Sequence, residues 1–91
     1  MAYQVVYHHL VADDIRHIPV NMRRRIQEAI ENRLVEEPLL GGKPLGQSLK
    51  GFRKLRVGDY RVIYQIRKET IIVFKIGHRK EVYDKVWKRL D

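Results

Sequence analysis

The sequence predicts a small α+β domain in the order β-α-α-β-β-β-α, with a mostly antiparallel four-stranded sheet and a helical hairpin on one face. Two observations carry that prediction. Apolar residues recur at steps of three and four in the first part of the chain, then alternate along the second. Two short breaks, Gly58-Asp59 and Lys68-Glu69, divide the alternating part into three strands close enough for hairpins. A length of 91 residues suits one domain, 1–91, around one core, and 44% apolar content is ordinary for a globule.

The elements come in order along the chain. YQVVYH, residues 3–8, is β-branched and aromatic and reads as a strand. Val11, Ile15 and Ile18 have helical spacing in LVADDIRHIP, and Pro19 stops that helix. Asp13 and Asp14 lie near its start, where negative charge suits the helix dipole. A longer helix spans residues 19–37, with Met22, Ile26, Ala29 or Ile30, and Leu34 as its apolar stripe and Pro38 as its end. LLGGKPLGQS reads as a loop. Strands are expected at 51–57, 59–67 and 70–77. In the second of these, Tyr60, Val62, Tyr64 and Ile66 share one face, opposite Arg61, Ile63, Gln65 and Arg67. TIIVFKI is apolar on both faces and is expected to be the central, doubly covered strand. Val82, Val86 and Leu90 suit one closing helix over 81–90, with Trp87 packed in the core.

Charge is unevenly distributed. The net charge is +8; residues 1–45 balance six basic against six acidic side chains, and residues 46–91 carry thirteen against five. Crowding like charges in one half destabilises it, and a polyanionic partner such as nucleic acid, an acidic protein segment or an anionic membrane is the usual reason to tolerate it. A basic surface that serves solubility alone is the simpler alternative. If Leu55 and Val57 point to the core, then Lys54 and Arg56 share the open face with Arg61 of the next strand. That set suits phosphate: arginine forks bond two oxygens at once and lysine adds a point charge. A solvated strand face, or lysines guarding an edge strand, would look similar. The end of the last strand delivers His78, Arg79 and Lys80, and Tyr83 comes soon after. A tyrosine beside a basic surface can stack on a base or pass a proton, although a half-buried anchor is the commoner role.

Other chemistries are poorly represented. With no cysteine there is no disulfide or thiol chemistry, which fits a reducing cytoplasm. The opening apolar run is too short for a signal peptide, and no stretch approaches membrane-spanning length. His8 and His9 should point to opposite sides of a strand, His17 and His78 are isolated, and no metal site or cofactor is expected. GGKPLG neither follows a strand nor opens a helix, as a phosphate-binding loop would. Ser48 is the single serine, which speaks against a hydrolase triad.

The segments LKGFRKLRVGDYRVIYQI and VFKIGHRKEVYDKV resemble the C-terminal half of RelE/ParE-type toxins of bacterial type II toxin–antitoxin systems, and the element order matches as well. The resemblance covers nearly the whole chain. It implies one of two activities: ribosome-dependent cleavage of mRNA in the A site, as in the RelE branch, or poisoning of DNA gyrase without a nuclease site, as in the ParE branch. The RelE-like pattern places Lys54, Arg61, Arg79 and Tyr83 in catalytic roles, with attack of a ribose 2′-hydroxyl on the adjacent phosphodiester. Lys50, Arg53, Arg56, His78 and Lys80 would then contact RNA. The pattern departs at one position: RelE itself carries a second lysine two residues before the position of Lys54, and Phe52 stands there in this chain. Arg53, of opposite strand parity, or Lys50 would have to replace it. The implied partners are an acidic, partly disordered antitoxin, the ribosome with its rRNA, and mRNA, with operator DNA reached only through the antitoxin complex and no membrane. A basic RNA-binding module without catalysis is the third reading.

Overall fold

The computed structural model of the chain describes residues 3–36, 43–44 and 51–89. β1 spans Gln4–Tyr7, α1 Val11–Arg16 and α2 Val20–Ala29. Pro19 separates the helices: it stands before α2 with ψ 146°, and its carbonyl accepts the Met22 and Arg23 N–H groups. The apolar stripe of α2 continues into a π-helical turn, Ile30–Leu34, closed by the Val35 N–H on the Ile30 carbonyl at 3.1 Å. That wider turn keeps Ile26, Ile30 and Leu34 buried together. Pro38, the expected helix stop, lies outside the described residues.

β3 (Phe52–Val57), β4 (Tyr60–Arg67) and β5 (Thr70–His78) form the expected antiparallel meander. β1 joins β5 in parallel, so the sheet is mixed. Within the segment read as a loop, Lys43–Pro44 makes a two-residue β2 antiparallel to β3, opposite Lys54 and Arg53. Strand order among the described residues is β1-β5-β4-β3-β2. β5 is thus an interior strand, flanked by β1 and β4. The tight β3–β4 turn uses Gly58 at φ +59°, where a β-carbon would be strained.

Strand alternation sorts the core. Leu55, Val57, Val62, Tyr64, Ile71, Val73 and Ile76 face the helices and pack with Val11, Ile18, Ile26, Ile30 and Leu34. A bulge in β5 interrupts the period: Ile63 pairs with Lys75 and Tyr64 with Val73, leaving Phe74 without a register partner on β4. The opposite face carries a smaller cluster of Ile63, Val82 and Val86, with Phe52 against it. Phe52 meets Phe74 edge-on at 5.3 Å.

The C-terminal segment departs from the expected helix. Residues 79–85 form successive turns, Lys85 has φ +54°, and a 3-10 turn closes the segment at Val86–Arg89. Val82 and Val86 are buried as expected, but Trp87 is 65% exposed instead of packed in the core, with the Lys88 ammonium 5.5 Å from its ring. Leu90 lies outside the described residues.

A pair of side chains from α1 and the 3-10 turn holds this segment. Arg89 meets Asp14 through two bonds of 2.7 and 2.9 Å, and its Nη1 also donates to the Phe74 carbonyl at 3.0 Å. Asp14 Oδ2 accepts the Ile76 N–H at 3.0 Å. Both side chains are nearly buried, at 14% and 9% exposure. Asp14 is therefore not a helix-dipole residue, as its place in α1 suggests; Asp13 stays local, bonded to Arg16 on the surface. Asp14→Ala should lower the unfolding free energy by about 3 kcal/mol or more, because it leaves a buried guanidinium unpaired. Asp13→Ala should change it by less than about 1 kcal/mol. Urea denaturation of both variants checks the contrast.

Candidate nucleic-acid interface

The face of the sheet turned away from the helices carries the cations. Two rows cross it. Lys54 on β3 lies beside Ile63 on β4 and Lys75 on β5; Arg56 lies beside Arg61 and Gly77. The parity expected for Lys54, Arg56 and Arg61 is thus observed, and Arg56 sits directly opposite Arg61. Arg61 folds its guanidinium over the hairpin turn, where Nη1 donates to the Gly58 and Tyr60 carbonyls at 2.9 Å each. The turn is backed by α2, with Met22 at 3.5 Å from where a Gly58 β-carbon would lie.

The same turn receives Arg79. Its N–H donates to the Asp59 carbonyl at 2.8 Å, and its Nε lies 3.9 Å from the Asp59 carboxylate. Both side chains are well exposed, so this ion pair is weak and leaves the guanidinium open to an anion. Glycine at 77 makes room on the sheet: Val82 lies 3.4 Å from where a β-carbon would stand, so residues 79–85 fold back across the Arg61 row. That brings Tyr83, 38% exposed, beside Lys54, whose Nζ lies 6.0 Å from the ring centroid. Arg61 and Arg79 therefore meet the β3–β4 turn, Arg56 stands opposite Arg61, and Lys54 meets Tyr83 farther along the hairpin.

The remaining candidates fall elsewhere. Arg53 points to the helix side, opposite Tyr64, where it hydrogen-bonds to the tyrosine; burial raises the Tyr64 pKa and that bond works against the rise. Arg53 therefore does not take the place of a lysine at 52. His78 stands edge-on to Tyr60 at 5.9 Å, and its Nδ1 accepts the Lys80 N–H at 3.3 Å. Lys80 is exposed in the turn after β5. Lys50 lies outside the described residues. His8 and His9 do not diverge as a strand would make them: they come after the end of β1 and stack at 4.3 Å. Among the described residues no three His, Cys, Asp or Glu side chains converge as metal ligands, and no helix is long and apolar enough to cross a membrane.

One cation on this face escaped the sequence reading. Lys75 stands two strand spacings from Lys54, about 10 Å. Its ammonium donates to the Asp84 carbonyl, and burial, followed by the charge of Arg89, lowers its pKa. A lone lysine inside TIIVFKI was the available signal.

Known proteins share both the sequence and the architecture. The family model described as the ParE toxin of the type II toxin–antitoxin system, parDE, matches residues 5–83. Toxin RelG of Mycobacterium tuberculosis is 32% identical over 85 residues, covering 91% of this chain and 98% of that protein. The mRNA interferase toxin RelE of Escherichia coli is 32% identical over 73 residues, covering 76% of this chain and 73% of its own. A chain in the crystal structure of the RelBE2 toxin–antitoxin complex from Mycobacterium tuberculosis superposes with a TM-score of 0.80 at 30% identity, covering 87% of this chain and all of that one.

The facing arginines give this surface a measurable property. Arg56→Glu should stabilise the fold by about 0.5 kcal/mol at low salt, because it replaces a like pair across the hairpin by an opposite one. The gain should shrink in about 1 M salt, where the screening length is short. Paired urea melts at the two salt concentrations read both effects.

Proposed function

The chain belongs to the ParE toxin family of type II toxin–antitoxin systems and is the toxin of a RelBE-type pair, and from that premise we propose that it is a ribosome-dependent endoribonuclease. The observation that supports this reading is that Arg61 and Arg79 both meet the β3–β4 turn while Lys54 and Tyr83 meet farther along the same hairpin. Two guanidiniums beside one turn suit a phosphodiester, and a lysine with an aromatic ring beside it suits a nucleotide.

In the proposed reaction the 2′-oxygen of a ribose attacks the adjacent phosphorus. The bond from phosphorus to the 5′-oxygen of the next nucleotide breaks, leaving a 2′,3′-cyclic phosphate and a 5′-hydroxyl. Lys54 stabilises the activated 2′-oxygen or takes its proton. Arg61 holds the phosphate and stabilises the charge that builds on it. Arg79 steadies the leaving 5′-oxygen or the phosphate. Tyr83 stacks on a base and orients it. Arg56, Lys80, His78 and Lys50 contribute further RNA contacts.

The partners are implied by the same charge. The basic half docks on rRNA and mRNA in the cytoplasm through a salt-sensitive contact. The solved relative is a toxin–antitoxin complex; here an acidic antitoxin covers the basic face and releases the toxin when it is lost, and any operator DNA is read by the antitoxin. Gyrase poisoning is the less favoured alternative, since the curated relatives matched here are RelE-type toxins.

The test is cleavage of mRNA on purified ribosomes with a defined codon in an empty A site, mapped by primer extension. Wild-type protein should cut within that codon and leave ribosome-free mRNA intact. Arg61→Ala should lower the rate by about 100-fold or more, the usual consequence of removing a transition-state donor. An Arg61→Ala/Tyr83→Ala variant that remains fully toxic in cells would overturn the nuclease reading.

A further inference from the structure

Among the described residues the Tyr83 hydroxyl makes no hydrogen bond, and its ring meets Lys54 at the surface. The turn that carries it is tied at its start, where the Glu81 and Val82 N–H groups reach the His78 carbonyl at 2.9 and 2.8 Å, and more loosely after Tyr83, where Asp84 N–H reaches the Glu81 carbonyl at 3.0 Å and Val86 N–H the Tyr83 carbonyl at 3.4 Å. Lys85 then takes φ +54°, a conformation that a non-glycine residue holds when its surroundings impose it. The Lys75 ammonium bonds the carbonyl of the residue before it, Asp84.

Lys75 is out of place as a packing residue. Its neighbour across the ladder, Ile63, is fully buried, and β5 is otherwise apolar from Ile71 to Ile76. An aliphatic side chain would fill this position at lower desolvation cost. A charged donor on a carbonyl makes a stronger bond than any neutral pair in the turn.

We propose that Lys75 is a positioning residue: it fixes the Asp84–Lys85 junction so that the 81–85 turn presents Tyr83 to Lys54. The inference rests on the nuclease reading and deepens it. Lys75 holds the ring over the nucleotide site without touching substrate. Val82 against Gly77 anchors one end of the turn, and Lys75 anchors the other.

The test compares wild type, Lys75→Met, Lys75→Arg, Tyr83→Ala and the Lys75→Met/Tyr83→Ala double variant. Two measurements are made on each: amide hydrogen exchange and mRNA cleavage on programmed ribosomes. In Lys75→Met, exchange at residues 82–86 should accelerate about tenfold, as loss of one charge-assisted bond implies, with the β3–β4 amides unchanged. Its kcat should fall about 10- to 100-fold, the effect of misplacing a group by an ångström, with KM for ribosomes unchanged. In the Tyr83→Ala background the same substitution should cost less than about twofold, because the two residues act as one unit. Lys75→Arg retains a donor and should keep most of both properties. Unchanged exchange at 82–86 in Lys75→Met overturns the proposal, and so do full additivity with Tyr83→Ala and equal losses in the Arg and Met variants. A wild type that leaves programmed ribosomes uncut removes the nuclease reading instead, and the exchange data still decide whether Lys75 sets the Tyr83 turn.

Discussion

The bidentate contact between Asp14 and Arg89 is the constraint on which the functional face depends. β1 covers β5 only from Thr70 to Val73. Beyond that point the β5 edge exposes the Ile76 N–H and the Phe74 carbonyl, and an unpaired strand edge is a liability. Asp14 takes the first and Arg89 the second, and each neutralises the other. One pair therefore finishes the sheet edge, docks α1 on it and ties the C-terminal segment to the structure. Two well-packed apolar side chains could stabilise the same contact as well. They could not satisfy the β5 backbone, which is the physical reason for charges here.

The segment so anchored completes a surface that the hairpin only begins. Lys54, Arg56 and Arg61 come from β3 and β4; Arg79 and Tyr83 arrive on the far side of Gly77. The helices take no part in this face. They bury the opposite side of the sheet, where Leu55, Val57, Val62 and Tyr64 form a core that, among the described residues, holds no buried charge beyond its rim. This division lets one face carry mutual repulsion while the other supplies the cohesion, and a functional face that weakens the fold is the common pattern for binding surfaces.

Much of this was legible in the sequence because strand alternation is local information. Leu55 and Val57 inward with Lys54 and Arg56 outward is the consequence of period two and a two-residue turn, and the register confirms it. The errors arose where distant residues decide. Asp14 looks like helix electrostatics until Ile76, 62 residues away, and Arg89, 75 away, come beside it. Lys75 escapes notice in a stretch read as apolar on both faces, because the bulge at Phe74 shifts the parity of the later β5 residues. The C-terminal residues have helical spacing of Val82 and Val86, yet both valines can be buried from turns when Gly77 admits a close approach. Trp87 is then carried outward to solvent. β2 is two residues long and has no periodicity to detect.

Phe52 shows how a missing cation can be a structural gain. The family resemblance implies a lysine at that position, on the same face as Lys54. Here the ring meets Phe74 edge-on and joins Ile63, Val82 and Val86. Such aromatic pairs contribute about 0.5–1.5 kcal/mol beyond simple burial. An ammonium at 52 would have to leave this cluster for water, and the floor beneath the C-terminal segment would lose an apolar contact. The bulge that turns Phe74 toward Phe52 also sets Lys75 on the same face, two strands away from Lys54. Apolar support and positive charge are thus redistributed together: the ring at 52 supports the segment from below, and the ammonium at 75 holds it from the side. Both residues act on the one stretch of chain that carries Tyr83, and the packing of Phe52 is therefore part of what places that segment.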